Sequence, residues 1–247
     1  MLKKQYEVLQ DSIRETCEKN NRLQNEVQLI AVSKTQPVEA IEEMYTAGCR
    51  HFGENKVQEL LEKYEVLPKD ITWHMIGHLQ RNKVKYIIDK VAYIHSVDSY
   101  ELAIEINRQA EKKQVASISI FIEVNVAKEV TKYGVALEDV IKLVEQVKEL
   151  PHLRLVGLMT IAPFVEDENE NKQYFLKLQQ LMVDINEKNI DNIRMYELSM
   201  GMSNDYRVAI ESGATMIRVG TSLFGNRDRH MRKINERYKE SMDGSCR

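Results

Sequence analysis

Lys34 stands at the end of Ala31-Val32-Ser33-Lys34, directly after an apolar run from Val27 to Val32. That run has strand length and is too short for a buried helix. Pro37 follows closely and suits the first turn of a helix over Val38–Ala47. Lys34 is therefore placed where a first strand hands over to a first helix, the edge that carries chemistry in barrels of alternating strands and helices. A partly desolvated lysine there loses its proton more easily and can attack a carbonyl to form a Schiff base. A lone lysine at a strand end is more often just solvated, so its weight depends on its surroundings.

The surroundings are unusual residues at other strand ends. Phe52-Gly53-Glu54-Asn55 follows one strand-like run and His74-Met75-Ile76-Gly77-His78-Leu79-Gln80 another. Asn125 and then Lys132-Tyr133-Gly134 follow a third, and Met159-Thr160 a fourth. Ser199-Met200-Gly201-Met202-Ser203-Asn204 and Arg218-Val219-Gly220-Thr221-Ser222 close the series. The last two clusters read as an anion site. Gly201 and Gly220 let backbone approach a ligand. Ser203, Thr221 and Ser222 bring hydroxyls, and the amides of Gly220 and Thr221 would open a short helix through Phe224, favourable to phosphate. Arg218, separated from Gly220 by one residue, should point into the barrel mouth and needs a partner. Glu54, Glu123 and Glu197 are candidate carboxylates; a bound ligand is the other choice. A Schiff-base lysine with a phosphate cup suggests pyridoxal 5'-phosphate (PLP), the arginine facing its pyridine nitrogen. An arginine does not give up its proton. It would leave that nitrogen unprotonated and the ring a poorer electron sink. His74 and His78 are four apart, but on a strand-to-loop segment without the glutamate that HExxH zinc chemistry needs. No metal is expected there; His74 packs beside a cofactor or fills the barrel.

The elements that must hold these residues alternate. A polar amphipathic helix covers about residues 3–25, with Tyr6, Leu9, Ile13 and Cys17 on one stripe. Strand-like runs follow at Val27–Ser33, Arg50–Gly53, Thr72–Ile76, Ala92–Val97, Ser117–Val126, Arg154–Thr160, Arg194–Ser199 and Thr215–Val219. Between them lie helix-like segments at Val38–Ala47, Lys56–Tyr64, Asn82–Asp89, Tyr100–Lys113, Leu137–Leu150, Glu168–Lys188 and Asp205–Ser212. Gly48 and Gly213 suit helix C-termini, and Asp98-Ser99 and Ser203-Asn204 suit N-caps. Eight strands alternating with helices predict a parallel sheet with right-handed crossovers. At 247 residues, closure into a single (β/α)8 TIM-type barrel with an extra N-terminal helix is the expected fold, of class α/β. A doubly wound dinucleotide fold should show GxGxxG after an early strand, and the first strand ends Val-Ser-Lys-Thr-Gln-Pro instead.

With 4 prolines, 10 glycines and no linker-like stretch, one domain over 1–247 is expected: helix 1–25, barrel 27–225, and a C-terminal helix or tail over 226–247. The net charge of -3 gives no pull toward nucleic acid or anionic membrane. Three scattered cysteines, Cys17, Cys49 and Cys246, form neither a disulfide framework nor a zinc site and fit a reducing cytoplasm. No signal peptide or membrane span is expected. A monomer is expected, since no helix shows a conspicuous uncovered apolar face.

Together these motifs resemble the pyridoxal phosphate homeostasis protein family, itself similar to the N-terminal barrel of alanine racemase. The matching segments are LIAVSKTQP, HFGENKVQE, WHMIGHLQRNK, IHSVDS, KYG, GLMTIAPF, LSMGMSNDY and IRVGTSLFG, in order from residue 29 to 225. The resemblance implies a PLP-binding barrel with the cofactor in Schiff-base linkage to Lys34. It implies that Ser203, Gly220 and Thr221 hold the phosphate and that Arg218 sits near the ring nitrogen. It adds Asn55, His74, Met159, Ser199 and Met202 to the cofactor site, and it matches Lys132 to a lysine linked to PLP handling. Such proteins are thought to buffer or deliver PLP in the cell, PLP-dependent apoenzymes being possible recipients, without robust catalysis. A PLP-dependent amino-acid racemase is the alternative. Alanine racemase, however, carries a second, β-rich domain that supplies a base, for which this chain leaves no room. Two-base racemisation needs groups on both faces of the substrate carbon, and only Lys34 is clearly placed. A class I aldolase using Lys34 on a sugar phosphate is a third reading.

Overall fold

The computed structural model describes residues 1–129 and 133–225. Its strands are β1 (Gln28–Val32), β2 (His51–Glu54), β3 (Thr72–Met75), β4 (Tyr93–Val97), β5 (Ile118–Glu123), β6 (Leu153–Met159), β7 (Glu197–Ser199) and β8 (Met216–Val219). All pair in parallel and in sequence order, and β8 closes on β1 through Gln28↔Met216 to Ala31↔Val219. Each strand is buried on both sides, as a parallel sheet wrapped in helices requires, which is why the sequence reads as short apolar runs rather than alternation.

The helices are α1 (Leu2–Lys19), α2 (Val38–Thr46), α3 (Val57–Val66), α4 (Val84–Ile87), α5 (Tyr100–Lys112), α6 (Val140–Val147), α7 (Lys172–Glu187), α8 (Tyr206–Glu211) and α9 (Thr221–Phe224). The N-terminal helix lies against α2, α8 and α9 and buries Leu9, Ile13 and Cys17. Ser12 Oγ and Tyr206 Oη share a 2.9 Å hydrogen bond that ties it to α8. No helix among the described residues is long and apolar enough to cross a membrane.

Element ends differ from expectation for identifiable reasons. Pro37 is the N-cap of α2 rather than its first turn, in an extended conformation. The segments expected to begin helically at Asn82, Leu137 and Glu168 each open on a 3-10 turn instead: Arg81–Lys83, Leu137–Asp139 and Glu168–Asn171. The α8 cap is Asp205, not Ser203-Asn204; its carboxylate accepts the Met202 N–H at 2.7 Å. Strand β7 is only three residues because the Asn186 side chain takes both Met195 backbone groups, at 2.7 and 3.0 Å. Strand β5 stops at Glu123 because the chain turns to bridge Val124 with Val135. Gly48 and Gly213 adopt the positive φ expected of them, 103° and 91°. Gly157 of β6 serves a close approach: a Cβ there would fall 1.8 Å from the Glu197 carbonyl oxygen of β7.

Strand parity sorts residues between the two layers. Ile30, Phe121, Val156, Met159 and Met216 form a small apolar cluster separate from the main core under the helices. The rest of the lumen is polar and holds His51, His74, His95, Ser199 and Arg218. That is uncommon, since such barrels are usually filled with branched apolar side chains.

Candidate functional site

The mouth at the strand C-termini encloses a cavity of about 430 Å³, within the ~300–1,000 Å³ usual for small-molecule sites. Lys34, Asn55, Met202, Ser203, Arg218, Gly220 and Thr221 line it. These expected residues come from the ends of β1, β2, β7 and β8, far apart in sequence and brought together by barrel closure. Three further expected residues do not line it. His74 and Ser199 are buried in the lumen beneath, and Met159 packs in the inner apolar cluster, because each sits on a strand one step below the rim. Lys132 and the 226–247 tail lie outside the described residues. Ile76, Ile161, Phe164, Asn171 and Asp205 also line the cavity and were not expected. Phe164 is 85% exposed at the rim. Its apolar loop follows β6 without a polar motif to mark it.

The turn that carries Lys34 is pinned on both sides. Ser33 donates its N–H to Gly53 O at 3.0 Å and its hydroxyl to Glu54 Oε1 at 2.6 Å. Its carbonyl accepts Gln36 N–H at 3.0 Å and Lys63 Nζ at 2.8 Å. Thr35, at φ 62°, occupies the left-handed region, which a β-branched residue enters only under constraint. Its N–H is held by Glu59 Oε2 at 2.7 Å. Lys63 completes the arrangement, lying 2.7 Å from Glu54 and 3.6 Å from Glu59. Glu54 points outward between β2 and α3, so it serves Lys63 and not Arg218. Burial raises its carboxyl, while Lys63 and Ser33 pull it back down.

None of the three carboxylates considered for Arg218 forms an ion pair with it among the described residues. Arg218 instead donates to Ser199 Oγ at 2.7 Å and to Thr160 O at 2.9 Å. Burial brings its guanidinium down to about 10, opposed by the Glu123 and Asp205 carboxylates. It therefore stays charged at neutral pH with neutral partners, and it lines the cavity. Glu197 is held by Thr215 at the other end of β7.

Next to the Lys34 turn, at the ends of β7 and β8, the N–H groups of Gly220 and Ser222 both point at Ser203 Oγ, each at 3.3 Å. Two amides converging on one oxygen at the start of α9 make a small anion-binding nest. The convergent pair is Gly220 with Ser222, where the sequence suggested Gly220 with Thr221. The Asn55 Oδ1 atom is buried and without a hydrogen-bond partner, and Asn55 lines the same cavity after β2. An unpaired amide, a fixed cation and an amide nest match the hydroxyl, ring nitrogen and phosphate of PLP, so the residues present fit that cofactor.

His74 turns into the lumen while His78 faces Asp98 at 3.5 Å and stacks on Tyr133. No group of three or more His, Cys, Asp or Glu among the described residues is arranged to hold a metal. Cys17 and Cys49 are buried free thiols, and burial pushes Cys49 up to about 12.

Glu123, at the end of β5, gives the fold a pH signature. Burial, with the Asp98 carboxylate, pushes it up to about 7, opposed by Arg218. Between about pH 4.5 and about 7 the unfolded chain releases a proton that the folded one keeps, so stability falls as pH rises through that window. Glu123→Gln is expected to remove this slope. The variant should gain roughly 3 kcal/mol on the natural protein across the window. Urea midpoints at several pH values measure the difference; parallel curves would contradict it.

The fold and this mouth together define a barrel of the alanine racemase N-terminal class. The family model described as alanine racemase, N-terminal domain, matches residues 9–228. Among curated relatives, the pyridoxal phosphate homeostasis protein of Aquifex aeolicus (strain VF5) is 46% identical over 218 residues, covering 88% of this chain and 94% of its own. PipY of Synechococcus elongatus PCC7942, solved without PLP, matches at a TM-score of 0.81 and 37% identity, covering 91% of this chain and 100% of its own. The same protein solved with PLP bound matches at 0.75 and 39%, covering 86% of this chain and 100% of its own. The chain belongs to the pyridoxal phosphate homeostasis protein family.

Proposed function

We infer that this protein binds PLP at the barrel mouth, with Lys34 as its covalent attachment point, and serves as a reservoir that buffers or delivers the cofactor. The observation that carries this reading is the convergence of Lys34, Arg218 and the Ser203–Gly220–Ser222 nest on one cavity. The PLP-bound form of PipY, 39% identical, supports it. When bound, PLP supplies an aldehyde that condenses reversibly with an amine. The protein's own part is to hold and orient. Ser203, Thr221 and the Gly220 and Ser222 amides take the phosphate, and Arg218 donates to the ring nitrogen. Asn55 meets the ring hydroxyl, and Val32, Ile76 and Met202 shield the ring. His74, Ser199 and Met159 support these groups from below. Lys132, by the family resemblance alone, is a second lysine taking part in PLP handling.

A permanently protonated arginine at the ring nitrogen favours a holder over a racemase, because it keeps the ring a weak electron sink. The reading includes a cytoplasmic monomer that passes PLP to apoenzymes. Titrating the PLP-free protein with PLP is expected to give a saturable visible band at one equivalent, and incubation with L-alanine no D-alanine at enzyme rates. Absence of the band, or rapid D-alanine formation, would overturn the holder reading.

A further inference from the structure

Arg218 is held by neutral groups, and one of them begins a line of hydrogen bonds that runs down inside the barrel. His95 Nδ1 lies 2.9 Å from Ser199 Oγ. His95 Nε2 lies 2.9 Å from His74 Nδ1, and His74 Nε2 lies 3.0 Å from His51 Nδ1. The four residues are inward positions of β7, β4, β3 and β2. Aromatic neighbours fix the ring planes. His74 stacks on Tyr93 at 4.6 Å and 4°, and His95 on Phe121 at 4.3 Å and 16°. Ser199, His74 and His95 are wholly buried, while His51 at the far end is partly open.

The direction of this line follows from its top. Burial holds His74 and His95 well below the ordinary histidine range, with Arg218 adding to the effect on His95. Both rings are neutral and carry one N–H each. A guanidinium only donates, so Ser199 Oγ accepts from Arg218. The single hydroxyl proton of Ser199 then goes to His95 Nδ1, the acceptor beside it. That puts the His95 proton on Nε2, where it is donated to His74 Nδ1. The His74 proton is likewise on Nε2 and is donated to His51 Nδ1. The opposite direction would strand the buried Ser199 proton without an acceptor, which costs about 1–3 kcal/mol. One buried cation thus sets the tautomers of three histidines.

The geometry points to Ser199, His95, His74 and His51 as a polarised column of positioning residues that fixes where Arg218 presents its donors in the cavity. The consequence for ligand choice rests on the reading of Arg218 as partner of the PLP ring nitrogen. An arginine immobilised from behind rewards a ring with an unprotonated nitrogen and gives nothing to the phosphate end.

Long-range ¹H–¹⁵N spectra of the full chain without PLP test the column directly. His95 and His74 are expected as single neutral Nε2–H tautomers. Nδ1–H tautomers, mixtures or protonated rings would overturn it. In Ser199→Ala, His95 should lose its single tautomer and PLP should bind about tenfold more weakly, the scale of one lost hydrogen bond to a charged group. Affinity for inorganic phosphate should stay unchanged, and Ser199→Thr, which keeps the hydroxyl, should restore PLP affinity. Equal PLP binding in Ser199→Ala, where Arg218→Ala weakens it, would defeat the column while sparing the ring reading. Unchanged binding in Arg218→Ala would defeat the ring reading, and the tautomers would still decide the column.

Discussion

Lys34→Ala is expected to give a folded barrel that has lost the visible absorbance of bound PLP and can no longer be fixed to it by borohydride. The fold should survive because the turn is held through its backbone. Ser33 bonds to Gly53, Gln36 and Lys63, and the Thr35 N–H bonds to Glu59. These contacts do not need the Lys34 side chain, which is only half-buried. The stability change should therefore stay within about 1 kcal/mol. PLP would still meet the amide nest and Arg218, so weak reversible binding should persist without a covalent bond. Absorbance and reduction, read beside a urea midpoint, separate loss of attachment from loss of fold. A variant that keeps the band through a covalent link would assign the attachment elsewhere.

Lys63→Met is the second large effect, and it falls on the fold. Lys63 and Glu54 are both buried and 2.7 Å apart. Replacing a buried pair outright can be neutral, but removing one partner typically costs about 3–5 kcal/mol. Here Glu54 would keep only the Ser33 hydroxyl. The loss should shrink toward acid pH, because burial already favours the protonated Glu54 carboxyl and protonation removes the stranded charge. Lys63→Met with Glu54→Gln should recover more than half of the loss. The Ser33 carbonyl would also lose a donor, so the recovered double variant should still hold PLP less well than the natural protein. Equal urea midpoints for the single variant and the natural protein would show that the pair contributes nothing.

What the sequence made legible was local. Lys34 could be placed because an apolar run ends beside it, and the phosphate cup because glycines and hydroxyls cluster after the last two strands. The alternation of runs was enough for the barrel and its order of closure. The partners of buried charges were not legible, since they depend on strand parity and register. Glu54 looked like a candidate for Arg218. In β2, however, positions 51 and 53 face inward, and Glu54 turns out toward α3. The histidine column was hidden for the same reason. His74 invited comparison with His78, four residues away, while its partners His51 and His95 stand 23 and 21 residues away. One signal was available: all three fall in strand-like runs at inward positions. The apolar rim at Ile161 and Phe164 lies within the GLMTIAPF segment of the family resemblance, but its apolar side chains gave no chemical sign that they line the cavity.

We propose that this barrel holds PLP covalently on Lys34. Borohydride reduction of the PLP-loaded natural protein, followed by peptide mapping, decides this. The expected result is one pyridoxyl group per chain, on the peptide containing Lys34. Stoichiometric labelling of another lysine, Lys132 included, with Lys34 unmodified, would contradict it.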